Sequence, residues 1–159
     1  MHLLSIRLFG EFAATDHRGK PLPAPSRRTE ALLIYLALRL DMGGSKTELT
    51  ALLGAERVDE AVDDLCRTVM FLPGEVVIED NDLIRFNPLL VTVDALHFEV
   101  VAARSSLSAT SEAADLYRAN LLEGYSSGFP AFDDWIRERR LHYWQNGINV
   151  LGRLLAVQI

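Results

Sequence analysis

The N-terminal residues show the short alternation of apolar and polar positions that is typical of β-strands. Residues 3–8 and residues 11–15 have this pattern, and Gly10 separates them. Residues 16–20 (Asp-His-Arg-Gly-Lys) combine polar side chains with a glycine, which indicates a turn. We therefore predict two short strands at the start of the chain.

After a proline-rich stretch, apolar residues recur at the three- to four-residue spacing of a helix. Ser26 stands where a helix N-cap is expected, and leucines then recur every three or four residues until Gly43-Gly44, the predicted helix end. Ser45 and Glu48 have the spacing of a capping box, in which the side chain of each residue bonds to the backbone of the other. They predict a second, short helix that ends at Gly54.

The third helix is predicted over residues 58–72, where six apolar positions form one stripe, and Pro73-Gly74 should end it. Two apolar segments then flank a polar one. Residues 76–78 and 83–86 are the predicted strands of a hairpin, and residues 79–82 (Glu-Asp-Asn-Asp) form its tip.

The rest of the chain has a helical pattern. We predict that Asp94 caps a helix through about residue 104, that Ser111 caps another through about residue 120, and that Pro130 begins a long helix ending near Val157. The short connection over residues 87–93 contains Pro88 and several apolar residues, which are not typical of a flexible linker. We expect the parts on either side of it to form one rigid body.

The order of these elements predicts an α+β fold in two parts. A short helix before a longer one, followed by a hairpin, is the order of a winged helix-turn-helix, in which the third helix enters the major groove of DNA and the hairpin is the wing. We assign residues 1–92 to this domain, with its N-terminal β-strands and C-terminal hairpin. Residues 93–159 are assigned to an all-α domain of antiparallel helices.

Charge is unevenly distributed along the chain. The net charge is −6, and residues 55–93, which contain the predicted third helix and wing, hold three Lys or Arg against nine Asp or Glu. The phosphates of DNA require Lys and Arg contacts. The sign of the charge therefore argues against DNA binding at the segment where the fold predicts it.

Other functional classes find little support in the sequence. The single cysteine, Cys66, excludes an internal disulfide, and the four histidines lack the spacing of a metal site. The longest apolar run, residues 31–38, is too short to cross a bilayer, and the N-terminus lacks the pattern of a signal peptide. We expect a cytoplasmic protein without membrane association, catalytic residues, metal or cofactor.

Five segments in consecutive order resemble the SARP-type bacterial transcriptional regulators. They are residues 6–12, 25–38, 93–99, 116–125 and 133–141. This resemblance implies an OmpR-type winged helix followed by a tetratricopeptide-like bacterial transcriptional activation domain. The family's helical domain is usually longer than residues 93–159, so the resemblance also implies that this chain is the N-terminal part of a larger regulator.

The resemblance implies promoter binding, but the predicted outer face of the third helix departs from the family's basic pattern. That face is composed of Asp59, Glu60, Asp63, Asp64, Arg67 and Thr68, and Arg67 can pair within its own helix. The candidate DNA-binding residues are mostly cations or lie at helix N-termini: Arg27, Arg28, Lys46, Thr47, Arg67, Thr68 and Arg85.

Two functions therefore remain open at this point. One is promoter binding by the winged helix, with the helical domain making partner or dimer contacts. The alternative is a degenerate winged helix that serves as a protein-interaction or signal-input module, with weak or no DNA binding. In either case, the apolar stripe of the last helix predicts an exposed face for a protein partner or a second copy, at Trp144, Ile148, Leu151 and Leu155.

Overall fold

Short strands and helices make up most of the protein, which we describe from a computed structural model over residues 2–23, 25–54 and 58–158. The elements in chain order are β1 (Leu4–Arg7), β2 (Ala13–Asp16), α1 (Arg27–Leu38), β3 (Gly44–Ser45), α2 (Lys46–Leu53), α3 (Val58–Val69), β4 (Val77–Asp80), β5 (Leu83–Phe86), β6 (Val91–Val93), α4 (Asp94–Ala102), α5 (Leu107–Leu116) and α6 (Pro130–Gln158). The predicted order is confirmed, with β3 and β6 as additions. Among the described residues, no helix is both long and apolar enough to cross a membrane.

The strands form two three-stranded sheets. In the first, β1 lies between antiparallel β2 and parallel β6, so that Leu4 faces Asp16 on one side and Val91 on the other. Alternation explains β1, because Leu4 and Ile6 are buried while the residues between and after them are exposed. In the second sheet, β5 lies between β3 and β4, and the predicted hairpin is confirmed.

The predicted end of the first helix at Gly43-Gly44 is wrong, because α1 ends at Leu38. The backbone N–H of Gly43 instead bonds to the Arg39 carbonyl at 2.7 Å, and Gly43 turns the chain with a φ of +64°. Gly44 then pairs with Ile84 as part of β3. The two glycines therefore end a turn that leads into a strand.

The two caps around α1 and α2 differ in how far they match the prediction. Ser26 caps α1 as predicted, accepting from the N–H of Thr29 at 3.2 Å. Ser45 caps α2 by accepting from the N–H of Glu48, but the Glu48 carboxylate accepts from the Tyr35 hydroxyl at 2.9 Å. The Ser45 bond of the predicted capping box is present, but the Glu48 side chain bonds to Tyr35 of α1 and not to the backbone of Ser45.

Two predicted caps in the second half of the chain, and the predicted end of the third helix, are wrong. Asp94 is the first residue of α4, and Ser111 lies inside α5, whose N-cap is Ser106. Ser106 accepts from the N–H of Ala109 at 3.1 Å. α3 ends at Val69, three residues before the predicted end. Near each of these positions, several residues are suited to cap or end the helix, and packing determines which of them does so.

The Asp94 side chain connects the two sequence halves. Its carboxylate accepts from the N–H groups of Leu8 at 2.8 Å and Phe9 at 3.1 Å, just beyond the end of β1. Burial raises the pKa of Asp94, while its bonds from Leu8, Phe9 and Ala95 oppose that rise. This carboxylate therefore anchors the start of α4 to the end of β1.

An aromatic cluster fills the space between β1 and the helices that follow. The Phe9 ring contacts the rings of Phe98, Tyr117 and Tyr143 edge-on, at centroid distances of 5.4, 5.1 and 5.7 Å. Residues 8–10 also exchange backbone hydrogen bonds with residues 120–123. A residue near the N-terminus is thus part of the core of the helical region.

These contacts predict that the chain unfolds as a single unit. We expect a nonspecific protease under native conditions to yield no separable fragments 1–90 and 93–159, because β6, Asp94 and Phe9 bind one part to the other. Size-exclusion chromatography of the digest measures this. Two stable fragments that elute apart would show that the two parts are independent.

Candidate nucleic-acid interface

The predicted recognition helix, α3, packs against α1 and α2 through one side. Ala61, Val62, Leu65 and Val69 are buried on that side. The opposite side is exposed at Asp59, Glu60, Asp63 and Arg67. The exposed side of the predicted recognition helix is therefore mainly acidic.

Thr68 does not belong to that surface, and its prediction as a DNA-binding residue is wrong. Its side chain is buried, and its hydroxyl donates to the carbonyl of Asp64 at 2.8 Å. A threonine bonded to the carbonyl four residues earlier fills its donor capacity within the helix. Thr68 therefore stabilises the packing of α3.

Asp64 is likewise turned towards α1. Its carboxylate accepts from the Thr29 hydroxyl at 2.7 Å and from the backbone N–H of Ser26 at 3.4 Å. The Thr29 bond is the main reason why the pKa of Asp64 is lowered. This carboxylate holds α3 against the N-terminus of α1, and only three acidic residues remain fully exposed on the helix.

The best-placed cation of this region is paired with one of those acidic residues. Lys46 Nζ lies 3.2 Å from Asp59 Oδ1. The bond and the charge of Asp59 raise the pKa of Lys46, and the carboxylates of Glu79 and Asp82 in the predicted wing add to that rise. Lys46 therefore lies among negatively charged side chains. The next predicted DNA-binding residue, Thr47, is exposed.

Arg67 is the one cation on the exposed side of α3. Its guanidinium lies 3.6 Å from the Asp64 carboxylate, which confirms the predicted pairing within the helix. The Arg67 side chain is still about two-thirds exposed. Since exposed pairs are weak, this arginine stays able to contact an anion.

Arg28 contributes to packing between helices. Its Nε donates to the Leu53 carbonyl at the end of α2 at 3.1 Å, and its guanidinium lies 4.8 Å from the centre of the Phe129 ring. Arg27 is exposed in the first turn of α1. The two arginines predicted as one cluster therefore differ, because only Arg27 has an exposed side chain.

The predicted wing also presents carboxylates. The tip between β4 and β5 turns at Asn81, whose φ is +57°, and Glu79, Asp80 and Asp82 are exposed around it. Arg85 lies in β5 and is half-buried. Of the predicted cations, Arg28, Lys46 and Arg85 are thus partly buried, and Arg27 and Arg67 are exposed.

Two apolar residues just after α3 were not predicted as functional. Met70 is 75% exposed and Phe71 is 53% exposed. Both lie off the apolar stripe of the helix predicted over residues 58–72, so the sequence pattern was compatible with their exposure but did not mark them as functional. Phe71 lies beside the turn over residues 16–20, away from the start of α3. The exposed acidic residues of α3, here called the α3 face, are Asp59, Glu60 and Asp63.

The chemistry of the α3 face does not include a metal site or an activated thiol. Within the described ranges, no group of three His, Cys, Asp or Glu side chains could hold a metal ion. Cys66 is half-buried beside Glu79, and burial, with the charge of Glu79, raises the pKa of its thiol. A raised thiol pKa lowers the fraction of reactive thiolate.

The fold is similar to that of a known regulator. The solved structure of Mycobacterium tuberculosis EmbR in complex with a low-affinity phosphopeptide matches with a TM-score of 0.70 and 14% sequence identity. The match covers 94% of this chain and 44% of the EmbR chain, so this chain spans less than half of that protein's length. At this identity the likeness shows a shared fold. No protein-family model and no curated protein matches the sequence.

Proposed function

We propose that this chain is a regulatory interaction module of a SARP-type transcriptional regulator, in which the winged helix binds protein and no longer holds duplex DNA. Residues 1–92 form the winged helix and residues 93–159 begin the helical activation-type domain. The observation that carries the proposal is the composition of the α3 face, where three exposed carboxylates occupy the position of a DNA-reading surface.

Electrostatics argues against a DNA partner at this face. Cations at the phosphates supply most of the electrostatic affinity for DNA, and like charges brought together at an interface cost several kcal/mol. Lys46 is paired with Asp59, and the wing tip adds exposed carboxylates at Glu79 and Asp80. A carboxylate can read cytosine, but only after cationic contacts have supplied affinity.

The same face suits a protein partner with basic and apolar side chains. Just beyond the end of α3, Met70 and Phe71 add exposed apolar area, and methionine and aromatic residues are enriched at protein interfaces. EmbR was solved with a phosphopeptide. An acidic face repels a phosphate group, so a basic, unmodified segment is the partner that complements this chain.

Promoter binding is the second candidate function, and the exposed Arg67 and Arg27 favour it. In that case Arg67 would contact a base and Arg27 a phosphate, while the fold shared with EmbR would position α3. The affinity would be low and strongly dependent on salt, since few phosphates are neutralised.

One charge-reversed variant separates the two candidates. We expect Glu60→Lys with Asp63→Lys to raise the affinity for a random DNA duplex at least tenfold at low salt, because two cations replace two carboxylates. We expect the same variant to bind an amphipathic peptide of Lys and Leu at least tenfold more weakly. Fluorescence anisotropy with labelled duplex and labelled peptide measures both constants.

The matched control carries the same change of charge elsewhere. Asp115→Lys with Glu138→Lys alters two exposed residues of the helical region, so neither constant should shift comparably if the α3 face is the interface. Specific duplex binding by the unmodified chain with a nanomolar constant at physiological salt would overturn the proposal in favour of promoter binding.

A further inference from the structure

The last helix carries an exposed apolar seam over its second half. Leu141, Trp144, Ile148, Leu151 and Leu155 follow one another at spacings of three, four, three and four residues, and each is 45–62% exposed. This is the spacing of the a and d positions of a coiled coil, which keep to one side of a helix. These five residues are called the α6 seam.

The α6 seam is separate from the side of α6 that packs on the rest of the protein. Tyr143 and Val150 are almost fully buried on that other side, with Gly147 against the Tyr117 ring. Val150 therefore belongs to the packed side of α6 and not to the seam. The packing of α6 on its own chain therefore leaves the seam uncovered.

We propose that the α6 seam binds a second copy of this chain, with the two α6 helices antiparallel. In that arrangement Ile148 meets its own copy, Trp144 meets Leu151, and Leu141 meets Leu155. The bulkiest side chain is thereby placed opposite a leucine on both halves of a symmetric interface. Self-association extends beyond the proposed function, which concerns the α3 face.

Charge favours a copy of this chain as the occupant. Between residues 141 and 158 the sequence contains one Arg and no Asp, Glu or Lys. That residue, Arg153, donates to the carbonyls of Ala102 and Arg104, away from the seam. A symmetric pairing brings each residue close to its own copy, so a seam without charge avoids repulsion between like charges.

The size of the seam matches a modest dimer. Its residues 141–155 span about 20 Å of helix at 1.5 Å per residue. With their flanking side chains they would bury on the order of 600 Å² on each chain, which is the lower end of specific interfaces.

The first test measures the mass of the chain against concentration. We expect sedimentation equilibrium to give twice the monomer mass at concentrations above a few tens of micromolar. Leu151→Glu with Leu155→Glu should weaken the dimer at least tenfold, because two pairs of carboxylates enter the seam. The control Leu89→Glu with Leu107→Glu changes two leucines that are exposed elsewhere and should leave the mass unchanged.

The second test reads the arrangement directly by disulfide formation, in a Cys66→Ser background. Ile148→Cys should form an intermolecular disulfide under mild oxidation, whereas Asn149→Cys, one residue away and off the seam, should not. A mixture of Leu141→Cys and Leu155→Cys chains should form the mixed disulfide. A chain that stays monomeric at all concentrations, or equal cross-linking at residues 148 and 149, would overturn the proposal.

Discussion

Replacing Asp94 with alanine should lower the free energy of unfolding by about 3 kcal/mol. The carboxylate accepts from the N–H groups of Leu8 and Phe9, two residues whose side chains are buried. Without it, both backbone donors lose their partner, and an unsatisfied buried donor costs about 1–3 kcal/mol. Urea denaturation followed by tryptophan fluorescence and by circular dichroism measures the loss with two probes.

Asp94→Asn is the matched control for this prediction. The amide retains one acceptor oxygen without the charge, so it should keep part of the bonding and cost about half as much as the alanine. Because burial disfavours the charged form of Asp94, the neutral side chain also avoids a desolvation cost. Equal stability of the alanine variant and the unmodified chain would contradict the anchoring role of this residue.

Periodicity could predict most helices and both halves of the hairpin. Each predicted element has a strong local signal, such as the apolar stripe of α3 or the polar tip between β4 and β5. β6 lacks one, because three residues are too few to show a period, and its partner β1 lies 87 residues earlier in register. When two parallel strands are this far apart in the sequence, the residues between them show no pattern that predicts the pairing.

The candidate site was harder to predict than the fold because a side chain's partner is decided by packing. Spacing on α3 grouped Asp64 and Thr68 with the exposed residues, yet both are bonded to neighbouring backbone or to α1. Similarly, Arg28 was predicted by its position at a helix N-terminus, and its contact with Phe129 depends on α6, more than 100 residues later. The acidic character of the α3 face followed from composition alone.

The seam and the α3 face have one property in common. Each surface consists of exposed residues on a helix whose opposite side is buried. The spacing of the buried residues therefore determines which side chains of the helix are exposed. The sequence predicted the seam at Trp144, Ile148, Leu151 and Leu155 because its period is continuous with that of a long helix. Met70 and Phe71 lie off the apolar stripe of the predicted third helix, but no motif in the sequence marked these two exposed apolar residues as functional.

Arg140→Met is expected to lower the free energy of unfolding by about 2–3 kcal/mol. The guanidinium of Arg140 donates to the carbonyls of Leu121, Leu122 and Tyr125, in the segment that follows α5. Leu122 is buried with a φ of +50°, a conformation that a leucine rarely adopts without support from its surroundings. Methionine fills similar volume but offers no donor, so three carbonyls lose a charged partner.

Arg137→Met is the control, because Arg137 is exposed on the same helix and pairs only with Asp134 three residues before it in its described contacts. Pairs of this kind contribute about 0.3–0.5 kcal/mol, so this variant should unfold near the unmodified midpoint. The segment held by Arg140 also bonds to residues 8–10. The Arg140 variant should therefore lose hydrogen-exchange protection at the N–H of Gly10 as well as at Leu122, and unchanged protection at both would refute the anchoring role.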